Sequence, residues 1–456
     1  MFARSGIILF FAICLFFFSI GNYYNSDEGV ILNGAWRMYN GDQLYTDFFS
    51  FVAPGSYWWT ELSFNLLGPS YFSARIFSIL LLAVSIFAVY RLTLLMGASW
   101  FTAIISSLAW FNINLFVPHL INYNNLSSYS ASIAAMFLAA ALVNNKNRDF
   151  LFLLAGFFSG ATAVFLQTKG PFLILGFSVL IMGYWLYGKI YKKNLLLFFS
   201  GAVIFPAAAL YVWGPAILYE FLFRWLLGQR YLEAIGSSLP LWGVVFTVFI
   251  VVLFFLLRNG NGLNKDVIAV AAVTQLALLT SVLNHPDIFH IMLASFGLVV
   301  LAAVFLSKHF IFFVKSADID LRIFKNITLF YLFTMALVSS AGLGLGALGL
   351  EFWFKEFKTG NQINKIYAHP FLPGFYFELG LSNPYRYDHL ITGLYPKEAF
   401  LDNLEKLKKE DPQYIFVDYG MVQKFGYNKA NLLDSYIEGN YETASVFDTF
   451  KILKKK

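Results

Sequence analysis

Residues 72–90 read FSARIFSILLLAVSIFAVY. The one charge in the stretch, Arg75, stands near its start, and no polar face repeats along it. At 1.5 Å per residue such a helix is about 28 Å long, close to the thickness of a bilayer's hydrocarbon core. Working outward, stretches of the same kind occur at 6–22, 99–117, 126–143, 150–167, 171–188, 194–213, 240–257, 267–283, 288–306 and 326–350, which makes eleven expected spans. The composition agrees: 59% of the 456 residues are hydrophobic and 13% are charged. Soluble domains carry about 25% charge, so an ordinary soluble globular protein is excluded. The first span lacks a small-x-small cleavage pattern before Asn22 and reads as a retained anchor. A single cysteine, Cys14, rules out an intrachain disulfide. The net charge of +6 is too small and too dispersed to indicate nucleic acid.

Charge placement gives the orientation. With the N-terminus cytoplasmic, the inner loops hold thirteen basic residues: Arg4, Arg91, Lys146, Arg148, Lys189, Lys192, Lys193, Arg258, Lys265, Lys308, Lys315, Arg322 and Lys325. The outer loops before residue 351 hold five, namely Arg37, Arg75, Lys169, Arg224 and Arg230. Acidic residues run the other way, with Asp27, Glu28, Asp42, Asp47, Glu61, Glu220, Glu233 and Asp287 outside. The expected organisation is a membrane domain over 1–350 and an extracytoplasmic α/β domain over 351–456. In the latter, a helical pattern around Phe400, Leu401, Leu404 and Leu407 precedes the strand-like run Tyr414–Asp418.

The first outer loop, 23–71, is too long to be structureless. Asp27–Tyr39 places Val30, Ile31, Ala35 and Met38 on one helical face, and Pro54–Leu67 does the same with Trp58, Leu62 and Leu66. Both read as amphipathic helices in the membrane interface. Asp27 and Glu28 open the first of them. They could simply cap it, since carboxylates suit helix N-termini. Alternatively they are an acid/base group held at headgroup depth.

Asp27-Glu28-Gly29, Gly41, Tyr45, Asp47-Phe48, Pro54-Gly55, Gly68 and Arg75 together resemble the first-loop pattern of the GT-C superfamily of membrane glycosyltransferases. More narrowly, the pattern is similar to the branch containing protein O-mannosyltransferases and the lipid A aminoarabinose transferase. Thr168-Lys169-Gly170-Pro171, the run His285-Pro286-Asp287-Ile288-Phe289-His290 and the stretch Asn383–Asp388 extend the likeness over nearly the whole chain. Ala53-Pro54-Gly55-Ser56 replaces the longer basic, proline-rich stretch usual in those transferases, as in a bacterial cell-envelope variant. The sugar and the acceptor therefore stay open. The resemblance implies a multi-pass protein of the plasma (inner) membrane that moves a sugar from a polyprenyl phosphate to a cell-envelope acceptor, with inversion.

In that chemistry Asp27 is the candidate base, and Glu28 and Asp47 are candidates to hold hydroxyl groups in line. Lys169, Arg75, Arg224 and Arg230 are the candidate cations for the departing phosphate, although Lys169 and Arg75 could instead anchor the interface. Arg224 and Arg230 sit in an outer loop, 214–239, that could gate lipid entry or merely connect two spans. His285, Asp287 and His290 read as hydrogen-bonding groups toward a phosphate; a divalent cation is conceivable there, but the pattern does not require one. Asn122, Tyr123, Asn124 and Asn125 form a loop that is polar by default, with a role as the site's roof as the alternative. Gly342, Gly344 and Gly346 suggest a close-packing helix face, and Pro206 a kink in the seventh span. A transporter or lipid flippase would carry ionisable groups near mid-membrane, where this chain has almost none. A polysaccharide polymerase or ligase remains the alternative enzyme class.

Overall fold

The computed structural model describes residues 26–116, 121–224, 231–283, 287–316, 333–334, 363–447 and 449–456. The spans expected at 6–22 and 326–350 fall outside these residues, apart from 333–334, as do the glycines at 342–346. Two short helices come first, α1 (Ser26–Tyr39) and α2 (Gly55–Leu67), as the first-loop pattern predicts. Long apolar helices follow: α3 (Tyr71–Leu95), α4 (Trp100–Phe116), α5 (Tyr123–Val143), α6 (Arg148–Phe165), α7 (Lys169–Leu186), α8 (Lys192–Leu218), α9 (Tyr231–Asn259) and α10 (Lys265–Ser281). By length and composition α3, α5, α6, α7, α8 and α9 each contain a stretch able to cross a membrane.

Local chemistry sets the helix starts. Ser70 and Ser73 cap α3 reciprocally, each side chain meeting the other's backbone N–H, at 3.0 and 2.9 Å. The expected span at 288–306 is divided instead into α11 (Ile288–Leu293) and α12 (Phe296–Ser316). Asp287 opens α11 by accepting from the His290 backbone N–H at 2.8 Å, and the chain turns at Ala294–Ser295 before α12. The break in α8 is at Gly214 (φ 74°, ψ 161°) rather than at Pro206. The following Pro215 disfavours helical backbone at the residue before it, and glycine alone tolerates the positive φ.

The tightest helix contact lies between α6 and α8. A Cβ on Gly156 would come 1.9 Å from the Phe198 carbonyl, and one on Gly201 would come 2.2 Å from the Leu153 carbonyl. Gly156 and Gly160 are four apart, a small-residue seam of the kind that lets membrane helices touch backbone to backbone.

Beyond the bundle lie β1 (Ile366–His369), α13 (Gly374–Leu379), α14 (Lys397–Glu410), β2 (Tyr414–Asp418), α15 (Leu432–Asn440), β3 (Tyr441–Phe447) and β4 (Phe450–Lys455). The sheet order is β1-β2-β4-β3, with β1 and β2 parallel and the other pairs antiparallel. One continuous apolar cluster joins this unit to the first loop: Tyr45, Phe48, Phe49 and Tyr57 pack with Phe371, Phe375, Tyr376, Tyr385 and Phe416. The first loop and the C-terminal sheet thus form a single cap over one end of the helices.

Candidate functional site

Beneath this cap, several elements bring polar side chains together. Glu28, in the first turn of α1, is fully buried and faces Arg75 of α3. Arg75 donates through Nε to Glu28 Oε1 at 2.9 Å, and its Nη2 lies 2.8 Å from the same oxygen. Glu28 Oε2 is buried with no hydrogen-bond partner among the described residues. Arg75 also lies over the Tyr71 ring at 5.3 Å. Asp27 is half-buried and accepts from Asn122 Nδ2 at 3.4 Å.

The loop at Asn122 and the start of α5 link the rest. Asn122 Oδ1 accepts from the Asn124 backbone N–H at 2.7 Å and so caps α5. The Asn124 carbonyl accepts from Lys169 Nζ at 3.0 Å, while Asn124 Nδ2 lies 3.2 Å from His290 Nε2. Asn124 donating to Nε2 leaves the ring proton on Nδ1, which sits 2.7 Å from Asp287 Oδ1. Lys169, at the start of α7, is fully buried and also donates to Ser128 Oγ at 2.8 Å. Both of these partners are neutral. Gln167, two residues earlier, accepts from the Ala53 N–H at 3.2 Å and donates to the Phe51 carbonyl at 2.7 Å, fixing the first loop against the start of α7.

The cap is held by Arg37, in sequence one outer-loop cation among five. Its Nε donates to Asp42 at 2.7 Å; its Nη1 donates to Asp388 at 2.9 Å and to the Tyr385 carbonyl at 2.6 Å. The guanidinium lies 4.5 Å from the centre of the Phe48 ring. Burial pushes the Asp388 carboxyl up to about 6, the Arg37 charge opposing it in part. Burial also pushes neighbouring His389 down to about 3.

The structure therefore gathers Asp27, Glu28, Arg75, Lys169, Asp287 and His290 through direct contacts or the Asn122–Asn124 link. Asp47 is exposed, and its carboxylate accepts from the Gln43 N–H at 2.7 Å, closing its own turn. Its carbonyl meets Arg37 Nη2 at 3.3 Å. Arg224 ends a π-helical turn, Tyr219–Arg224, while Arg230 and His285 lie outside the described residues. Among the described residues no group of three His, Cys, Asp or Glu side chains converges as a metal cage would need. Asn122 and Asn124 carry more of the site than their loop position suggested. Four polar residues between two spans look alike in sequence whether they face solvent or a buried lysine.

No protein-family model matches the chain, and no curated protein matches it in sequence. Solved structures do match. ArnT from Cupriavidus metallidurans bound to undecaprenyl phosphate superposes with a TM-score of 0.65 at 13% identity, over 99% of this chain and 98% of that one. The apo form of the same protein gives 0.60 at 12% identity, with the same coverage. The archaeal oligosaccharyltransferase AglB from Archaeoglobus fulgidus gives 0.53 at 11% identity, over 100% of this chain and 75% of that one. The chain thus shares the overall fold of these ArnT and AglB structures.

Proposed function

We propose that this chain is a membrane glycosyltransferase that moves a sugar from a polyprenyl-phosphate donor to a cell-envelope acceptor, with inversion at the anomeric carbon. The observation that carries the reading is Lys169, a fully buried ammonium whose described hydrogen-bond partners are a carbonyl and a hydroxyl. Burying a cation among neutral groups costs several kcal/mol. Folds keep such an arrangement where an anion arrives to neutralise it, and one of the three ammonium donors is left for that anion. The fold favours a lipid phosphate in this role. ArnT is described with undecaprenyl phosphate and AglB with a dolichol-phosphate, both polyisoprenyl phosphates.

Chemically, the acceptor oxygen attacks the anomeric carbon, its proton passes to Asp27, and the sugar–phosphate C–O bond breaks with its electron pair leaving on the phosphate. Lys169 stabilises the charge that grows there, and His290, between Asn124 and Asp287, holds the Asn124 side chain beside it. Glu28, held by Arg75, offers its open Oε2 to a sugar or acceptor hydroxyl. In this reading Arg75 acts by positioning Glu28. Asp47, Arg224, Arg230 and His285 are left as candidates for the parts of the donor and acceptor that lie away from the reacting bond. The charge asymmetry supports a site on the extracytoplasmic side; on that reading a tag after Lys456 should be labelled only from outside, and labelling only from the cytoplasm would reverse it. To test the function, the purified protein is incubated with a panel of polyprenyl-phosphate sugars and release of free lipid phosphate is followed. Turnover of one donor supports the reading. No release or transfer from any donor, in the presence of envelope acceptors, would sink it.

A further inference from the structure

At the opposite end of the bundle lies a groove of about 590 Å³ between α3, α5 and the start of α6. Arg91 stands 16 residues beyond Arg75 on α3, so the groove is about 24 Å from the capped site. Its polar lining is Arg91, Lys146 and the asparagines at 144, 145 and 147, and no carboxylate lines it. Asp149, in the adjoining groove, is engaged by Lys193 at 2.6 Å and Asn194 at 2.8 Å. The rest of the lining is apolar and includes Phe87, Met136 and Val143. Leu80, Val84 and Phe87 are exposed, and with Arg91 they follow i, i+4, i+7, i+11 spacing, which is one face of α3. The stripe from Leu80 to Arg91 is about 16 Å long, the depth of one bilayer leaflet.

We infer that this groove binds one anionic phospholipid, its phosphate against Arg91 and Lys146 and its acyl chain along the Leu80–Val84–Phe87 stripe. The apolar track ending in two cations without a carboxylate matches a lipid with a negative head, as basic pockets between membrane helices do elsewhere. A zwitterionic lipid would fill the track equally well but would place its own cation among those of the groove. A free phosphate would leave the track uncovered.

The test uses the full chain in neutral detergent micelles, with native mass spectrometry counting retained lipid. Dioleoyl phosphatidylglycerol should be retained as a single molecule, in preference to dioleoyl phosphatidylcholine. The Arg91→Gln/Lys146→Gln protein should bind phosphatidylglycerol roughly 30-fold more weakly, at about fivefold per cation, with phosphatidylcholine unaffected. Equal retention of both lipids by the wild type, an unchanged double variant, or displacement of the lipid by millimolar inorganic phosphate would each overturn the inference. Should the double variant elute as aggregate, Lys146→Gln alone, on an exposed loop, should still show the fivefold loss; wild-type affinity there overturns it as well. None of these readouts depends on transferase activity.

Discussion

Lys169→Met distinguishes a lysine kept for a ligand from one kept for packing, because the first role predicts lost donor affinity at little cost in stability and the second the reverse. Methionine has nearly the same length and carries no charge. The substitution removes charge-assisted hydrogen bonds of 3.0 and 2.8 Å to Asn124 and Ser128, together about 3–6 kcal/mol. It also removes a buried ammonium with neutral partners, whose desolvation costs several kcal/mol. The two contributions nearly offset, so the ligand-free protein should stay within ~1–2 kcal/mol of wild type. Donor binding should move the other way: losing a charge-assisted hydrogen bond to phosphate costs about 1.5–3 kcal/mol, or roughly 10- to 150-fold in affinity. Lys169→Arg should recover part of it, since the charge survives but the fork geometry differs from a compact ammonium. The assay pairs thermal unfolding in micelles without donor with a donor titration of turnover. A variant that unfolds well below wild type while using donor at wild-type concentrations would make Lys169 a structural strut and refute the reasoning.

Asp27→Asn should lower turnover by at least ~10²-fold at near-normal donor affinity, because the amide cannot take the proton; more than about a tenth of wild-type turnover would fit a helix cap instead, at which Asn serves as well as Asp. Arg75→Met should destabilise the protein by about 3–5 kcal/mol by stranding the buried Glu28 carboxylate, and adding Glu28→Gln should restore most of that in denaturant unfolding; simple additivity would argue against the pair. Asp388 and His389 make opposite pH predictions. Asp388, raised to about 6, favours the folded state most below its unfolded value near 4 and loses that contribution as pH rises to 6. His389, lowered to about 3, contributes above 6.5 and loses that contribution as pH falls. Between pH 4 and 6 the two slopes cancel, so stability in that window should be nearly flat for this pair; Asp388→Asn should unmask a fall of about 1.4 kcal/mol per pH unit on acidification, measured by denaturant unfolding across pH.

Much of the fold could be read from the sequence because a bilayer demands long apolar runs and closed backbone hydrogen bonding, and both leave their mark on consecutive residues. The first-loop helices were legible for a related reason, since Val30, Ile31, Ala35 and Met38 mark one face. The break in α8 was assigned to Pro206, the more central proline, whereas the backbone yields at Gly214, where glycine and the following proline act together. The packing face expected at Gly342–Gly346 lies outside the described residues; the seam formed by Gly156 and Gly160 against Gly201 shows small residues four apart in sequence, but its partner helix is not written beside it. Within the site, carboxylates and cations stood out by type. Their pairing did not, since Glu28 with Arg75 and Asn124 with Lys169 and His290 are relations between residues far apart in the chain.

Helix α1 packs on the C-terminal unit at both ends and is tied to the bundle at its start. Near its start, Glu28 is tied to Arg75 in the bundle, and Gly29 presses against Gly374 so closely that a Cβ would come 2.8 Å from its backbone nitrogen. Near its end, Arg37 is tied to Tyr385 and Asp388 of the cap. Glu28 and Arg37 are nine residues, about 13 Å, apart on a rod that does not stretch. Such a rod moves as one piece with the cap, so any tilt of the cap bears on the buried Glu28–Arg75 pair, the ion pair by which its start holds the bundle. Under the proposed function, the setting of the cap and the setting of Asp27, next to Glu28 in the chain, would thereby be mechanically linked.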